Sequence, residues 1–180
     1  MPPVPTSKKS TLDKLIYAVI GMSIFVIVSG LVIVNFWDEL GMDEVFGTGT
    51  LPPIDFDTLA VVQNQNHYLA CPTGFCPEAT ADETSPVFLA SATSLRDRLI
   101  DLSDADNRIE LKEMDLRNLQ FDFLVYLPQR PFPDVVTIRV YDLGPNESTV
   151  AIYSRTLKGV DETGSNRSRV KHWLRLLEGR

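Results

Sequence analysis

One stretch governs what this chain can fold into. From Leu15 to Trp37 it reads LIYAVIGMSIFVIVSGLVIVNFW, without an ionisable side chain. At 1.5 Å of rise per residue this run crosses a hydrocarbon layer about 30 Å thick. Gly21, Ser23, Ser29 and Gly30 do not interrupt it, because a helix in lipid satisfies its own backbone and tolerates small residues. Tyr17 near one end, and Phe36 with Trp37 at the other, sit where amphipathic rings prefer a membrane interface. Gly21 and Ser29 share one face, as a small-residue contact with another helix requires. A cleaved signal is the rival reading. Its apolar region is only about 7–15 residues long and ends in a small-x-small site. Here the run is longer and ends in Asn35-Phe36-Trp37-Asp38, which favours an anchor.

The flanks give the anchor a direction. Lys8, Lys9 and Lys14 precede it, and Asp38, Glu39, Asp43 and Glu44 follow. By the positive-inside rule residues 1–14 stay cytoplasmic, 15–37 span the inner membrane, and the remainder is periplasmic. Residues 38–53 are acidic, then Gly/Thr-rich, then Pro-Pro, which is linker composition. An extracytoplasmic domain is therefore expected over residues 54–180.

Charge narrows the partners. The whole chain stands at -7, and removing residues 1–37 leaves 14 basic against 23 acidic side chains, or -9. Such a surface is unsuited to nucleic acid. The basic residues concentrate late: residues 38–154 hold 7 basic and 20 acidic residues, and residues 155–180 hold 7 and 3. A solvated acidic body and a polarised docking surface both follow from this distribution.

Cys71 and Cys76 are the two cysteines, in Cys71-Pro72-Thr73-Gly74-Phe75-Cys76-Pro77. His67 and His172 are too isolated, and the cysteine spacing too unlike paired zinc couples, for a metal site, and no cofactor is expected. In an oxidising compartment the turn between the thiols favours a local disulfide, which staples a loop more than the fold. A redox-active pair is the rival.

Beyond the linker the pattern is α+β. Ser94-Leu95-Arg96-Asp97 resembles a capping box opening a helix with Leu95, Leu99 and Leu102 on one stripe. Arg108–Leu111 is a short strand candidate. Leu119, Phe121, Phe123, Val125 and Leu127 alternate with polar or less apolar neighbours, the pattern of a strand. The prolines of 128–133 end it. Val136, Ile138 and Val140 form a second strand, Thr149–Thr156 a third, joined by turn residues at 144–147. Last comes a helix capped by Ser165 or Asn166, with Val170, Trp173, Leu174 and Leu177 on its apolar stripe. An antiparallel sheet of about three to five strands with flanking helices is expected.

Several segments together resemble an uncharacterised bacterial family, domain of unknown function 1499. They are Ile54-Asp55-Phe56 through Asn66-His67-Tyr68-Leu69-Ala70-Cys71-Pro72-Thr73-Gly74-Phe75-Cys76, then Ser85-Pro86-Val87-Phe88. Phe132-Pro133-Asp134-Val135-Val136 follows, and then Ala151-Ile152-Tyr153-Ser154-Arg155 with Gly164-Ser165-Asn166-Arg167-Ser168-Arg169-Val170. The likeness covers about residues 54–177. The chain departs from the family at Thr156-Leu157-Lys158-Gly159, where Ser-Arg-hydrophobic-Gly is usual, and at Asp161-Glu162, where Ser-Asp is usual. The resemblance implies a fold and an address more than an activity.

Two groups of residues are candidates for ligand or partner binding. Around Gly159–Arg169, Asn166, Arg167 and Arg169 at a helix start suit an anion, with Asp134 as a further candidate for the binding site, or else serve a capped loop whose arginines pair with Asp134, Asp161 or Glu162. Arg139, Tyr141, Tyr153 and Arg155 fall on the non-core phase of adjacent strands and make a basic, aromatic patch, or a solvated face paired with Asp122 and Asp142. No nucleophile–base–orienter set stands out. A non-catalytic binding or accessory role beside another envelope or membrane protein is expected. A carboxylate-based envelope hydrolase and a thiol-redox protein are the alternatives.

Overall fold

A computed structural model describes residues 11–35, 51–61, 66–161 and 164–179. The chain divides into two units, Met1–Pro52 and Pro53–Arg180.

The first unit contains α1 (Thr11–Asn35). From Leu15 to Val32 it is apolar on every side and none of it is buried. A helix that is apolar all round needs a surrounding of the same kind. At about 1.5 Å per residue its length matches a bilayer core, so α1 is apolar and long enough to span a membrane. Phe36, Trp37 and linker residues 38–50 lie outside the described residues.

The second unit is α+β. Its elements are β1 (His67–Cys71), β2 (Glu83–Thr84), α2 (Ala92–Ala105), β3 (Ile109–Asp115), β4 (Gln120–Val125), β5 (Asp134–Gly144), β6 (Glu147–Arg155) and α3 (Ser165–Leu177). Spatial order in the sheet is β2-β1-β6-β5-β4-β3. From β1 to β3 all pairs are antiparallel, whereas β2 runs parallel to β1. The sheet is thus mixed and six-stranded, not an antiparallel one of three to five strands. The additional strands explain the difference. β1 (HYLAC) is covered on both faces and so lacks alternation, and β2 is two residues long.

Alternation places the layers. Phe121 and Phe123 of β4, Val136 and Ile138 of β5, and Val150 and Ile152 of β6 face one way. They pack against Leu95 and Leu99 of α2 and Val170, Trp173 and Leu177 of α3. Phe123 meets Trp173 edge to face at 5.5 Å between ring centroids. The opposite face holds a smaller cluster, in which Leu69 and Ala151 lie with Phe56 from the entering segment and with Cys71 and Cys76.

Both helix starts differ from the expected caps. α2 begins a turn earlier, with Ser91 as N-cap accepting a hydrogen bond from the Ser94 amide. α3 follows Gly164, whose left-handed backbone (φ 66°) suits glycine and leaves no side chain to cap the helix. Ser165 and Asn166 are both inside α3.

Candidate functional site

The prolines of 128–133 end β4 and turn the chain so that Arg130 comes back over the first residue of β5, Asp134. Asp134 is fully buried. Its Oδ1 accepts from Arg130 Nη1 at 2.9 Å and Thr156 Oγ1 at 2.7 Å, and its Oδ2 from Arg169 Nη2 at 2.7 Å. The other Arg130 nitrogen, Nη2, reaches Asp161 at 3.0 Å. Arg169 is buried too; its Nη1 donates to Asn166 Oδ1 at 3.0 Å and Ser154 Oγ at 2.7 Å. Asn166 donates in turn to Thr156 Oγ1 and to the Asn66 carbonyl, both at 3.1 Å. Two acids and two arginines, from the 128–133 turn, β5, the 157–164 loop and α3, thus form one hydrogen-bonded network.

The anion at the start of α3 is the chain's own. Asp161 accepts from the Ser165 amide at 2.9 Å and the Asn166 amide at 2.8 Å, the two donors a free anion would use. Burial raises the Asp161 pKa, but the Asn166 and Ser165 amides, the Ser165 hydroxyl and Arg130 outweigh it and hold the carboxyl at about 2. Because the folded value lies below the ordinary 3.8, the stability it contributes is complete above that pH and is lost as pH falls through about 2. Urea unfolding at stepped pH is expected to show the native chain losing about 2 kcal/mol more than Asp161→Asn across that window. Equal losses would show that the carboxylate does not hold the helix start.

The second candidate group lies on the opposite face of the sheet. Tyr141 and Tyr153 are half-buried beside the Phe56 cluster, and Phe75 of the disulfide loop packs on Tyr141 at 4.5 Å. Arg139 lies 5.2 Å from the Tyr141 ring and pairs with Asp57 at 3.4 Å, whereas Asp142 accepts from the Gly144 amide at 2.9 Å. Arg155, over Tyr153 at 5.3 Å, donates to Thr137 Oγ1 at 2.9 Å, and that hydroxyl donates to Asp122. Burial pushes the Asp122 pKa up and the Arg155 pKa down. His67 stacks obliquely on Tyr153, and burial lowers its pKa. This is an inner layer beneath the 54–61 segment more than an open patch.

The candidates therefore do not converge. Asp134, Asn166 and Arg169 join on the helix side, and Arg139, Tyr141, Tyr153 and Arg155 lie on the other. Arg167 is exposed on α3. Glu162 lies outside the described residues. Cys71 and Cys76 are joined as a disulfide with Cα atoms 6.3 Å apart.

Concavity appears elsewhere. α2 and α3 enclose a cleft of about 570 Å³, a volume in the range of small-molecule sites. Ile109 of β3 and Val125 of β4 line it, with Leu102 of α2 and Trp173 and Leu176 of α3. At one end Arg98 donates to the Leu177 carbonyl, joining the two helices. At the other, Arg169 lines the cleft and leads into the buried network. The rim carries Asp101, His172 and the Arg108–Asp106 ion pair, 2.7 Å apart. Ser168 and His172 both line the cleft one turn apart on α3, yet no hydrogen bond joins them. The cleft can bury apolar material; its lining offers no assembled nucleophile and base. Periodicity marks Leu102 and Trp173 as core residues, so nothing in the sequence separates a packed side chain from one that also lines a cavity. Arg130 is hidden among prolines that signal only an interruption.

No family model matches the chain, and no curated protein matches it. Among solved structures, an uncharacterized protein from Bacillus thuringiensis is 14% identical, with a TM-score of 0.41 over 63% of this chain and 96% of that one. The di-domain ARO/CYC BexL from the BE-7585A biosynthetic pathway is 11% identical, with a TM-score of 0.41 over 53% of this chain and 44% of that one, so this chain spans less than half of it. A START superfamily protein from Mycobacterium smegmatis is 11% identical, with a TM-score of 0.32 over 54% and 93%. Likenesses this distant carry no argument about ligand or activity.

Proposed function

We propose that this chain is a single-pass protein of the bacterial inner membrane whose periplasmic unit binds a ligand or partner without chemistry of its own, as an accessory of the envelope or of a membrane complex. The cleft between α2 and α3 carries this reading, because it is a preformed apolar concavity at the junction of four elements. The unburied apolar α1 and the lysines before it support the address, as does the resemblance to domain of unknown function 1499. The buried acids and arginines support a non-catalytic role, since each is engaged by another group of the fold.

Two measurements test it. Protease added to spheroplasts is expected to digest residues 53–180, and the same protease added to intact cells to leave them whole; digestion in neither would remove the topology. A photo-crosslinking amino acid placed at Leu176, 40% exposed on the cleft, is expected to yield adducts in living cells. The same group at Lys112 on edge strand β3, outside the cleft, is expected to yield none. Equal labelling at both positions, or none at Leu176, would remove the cleft as the binding site.

A further inference from the structure

We infer that the cleft between α2 and α3 takes an acyl chain of a membrane phospholipid whose headgroup carries both charges, an inference that rests on the binding role proposed above. Its inner surface is apolar, with Leu102, Ile109, Val125, Trp173 and Leu176 contributed by four elements. Along α3 it runs from Ser165 to Leu177, about 18 Å at helical rise. That is an elongated space with a mostly apolar wall, which suits a hydrocarbon chain more than a compact ring system.

The charges around it select the headgroup. Three arginines and two aspartates line the cleft: Arg98, Arg108, Arg169, Asp101 and Asp106. Arg169 is committed to fully buried Asp134 at 2.7 Å and Arg108 to Asp106 at 2.7 Å, which leaves one cation, Arg98, against one anion, Asp101. A fatty-acid carboxylate or an anionic lipid would meet Asp101 as a like charge. A zwitterionic headgroup meets a partner of each sign. The start of α3 offers no competing anion site, because Asp161 occupies its amides.

The source of the chain is the bilayer itself. α1 is apolar on all sides, and residues 36–52 join it to the second unit. Fully extended, those residues reach at most about 60 Å. Such a tether keeps the local lipid concentration high, so that even a weak site stays occupied.

The test uses the full chain with Trp37→Phe, which leaves Trp173 as its one tryptophan. The protein is reconstituted into vesicles of phosphatidylcholine with brominated or unbrominated acyl chains. Entry of a brominated chain is expected to quench Trp173 emission about two-fold, because the ring edges the cleft. Ala105→Phe, which places a ring in the cleft, is expected to abolish the quenching, with circular dichroism reporting the fold. Leu176→Asp, at the exposed rim, serves as the second variant and is expected to reduce it. Added phosphatidylglycerol is expected to dilute the effect. No quenching would overturn the inference. So would quenching that survives both variants, which means contact with the bilayer surface, or quenching that phosphatidylglycerol strengthens. A protein adduct at Leu176 without quenching removes the lipid and keeps the binding role, whereas neither adduct nor quenching removes both.

Discussion

Asp134→Ala is expected to cost about 3–5 kcal/mol of folding stability, because it strands the Arg130 and Arg169 guanidiniums without the carboxylate they share. Arg169 is the more serious loss, since it is buried. Urea unfolding of the Trp37→Phe chain, followed by Trp173 emission, measures it. Asp134→Asn separates charge from shape: it keeps the volume and one acceptor, yet leaves two cations facing a neutral group. The triple change Asp134→Ala, Arg130→Met, Arg169→Met is expected to be more stable than Asp134→Ala alone. Removing a whole buried ionic set is tolerated better than removing one partner. A cost below about 1 kcal/mol for Asp134→Ala would put the network in the class of surface ion pairs.

Phe123→Ala is expected to be of similar size, about 3–5 kcal/mol, through lost burial and the cavity left behind. Phe123 is fully buried in the centre of β4 and supports Trp173 edge to face. The change should therefore report on two places at once. Stability falls, and Trp173 emission shifts to the red as its neighbouring ring is removed. Leu89→Ala is the control: at 88% exposed it is expected to stay within about 0.5 kcal/mol of the parent. A small cost at Phe123, with unshifted emission, would mean that the core relaxes to fill the space.

These two residues also show what a sequence displays and what it conceals. Phe123 belongs to an alternating run, and β4, β5 and β6 are readable because one residue in two faces the helices. α2 and α3 are readable from their stripes. β1 is different: its neighbours cover both faces, so HYLAC shows no period, and its role depends on pairing with a strand far along the chain. Asp134 looks like an ordinary acid at a strand start. Only tertiary contact brings Arg130, Asp161 and Arg169 to it. Asp161 caps α3 from four residues before Ser165, outside the offset at which N-cap residues are sought. The cleft was invisible for the same reason, since its walls come from segments near residues 102, 109, 125 and 173.

The place of β1 between β2 and β6 has a temporal consequence. His67 pairs with Arg155, a separation of 155 - 67 = 88 residues. Whether on a ribosome or emerging from a translocation channel, the chain delivers β1 first and its main partner almost last. The β3–β4 and β5–β6 hairpins can zip locally in the meantime, and the Cys71–Cys76 loop can close. The sheet itself closes only after residue 155 has emerged, and the helix that covers it only later. Distant pairing of this kind is slow. A newly made chain therefore passes through an interval with Tyr68, Leu69 and Ala70 uncovered, and a holding chaperone on the side where the unit folds would protect that interval.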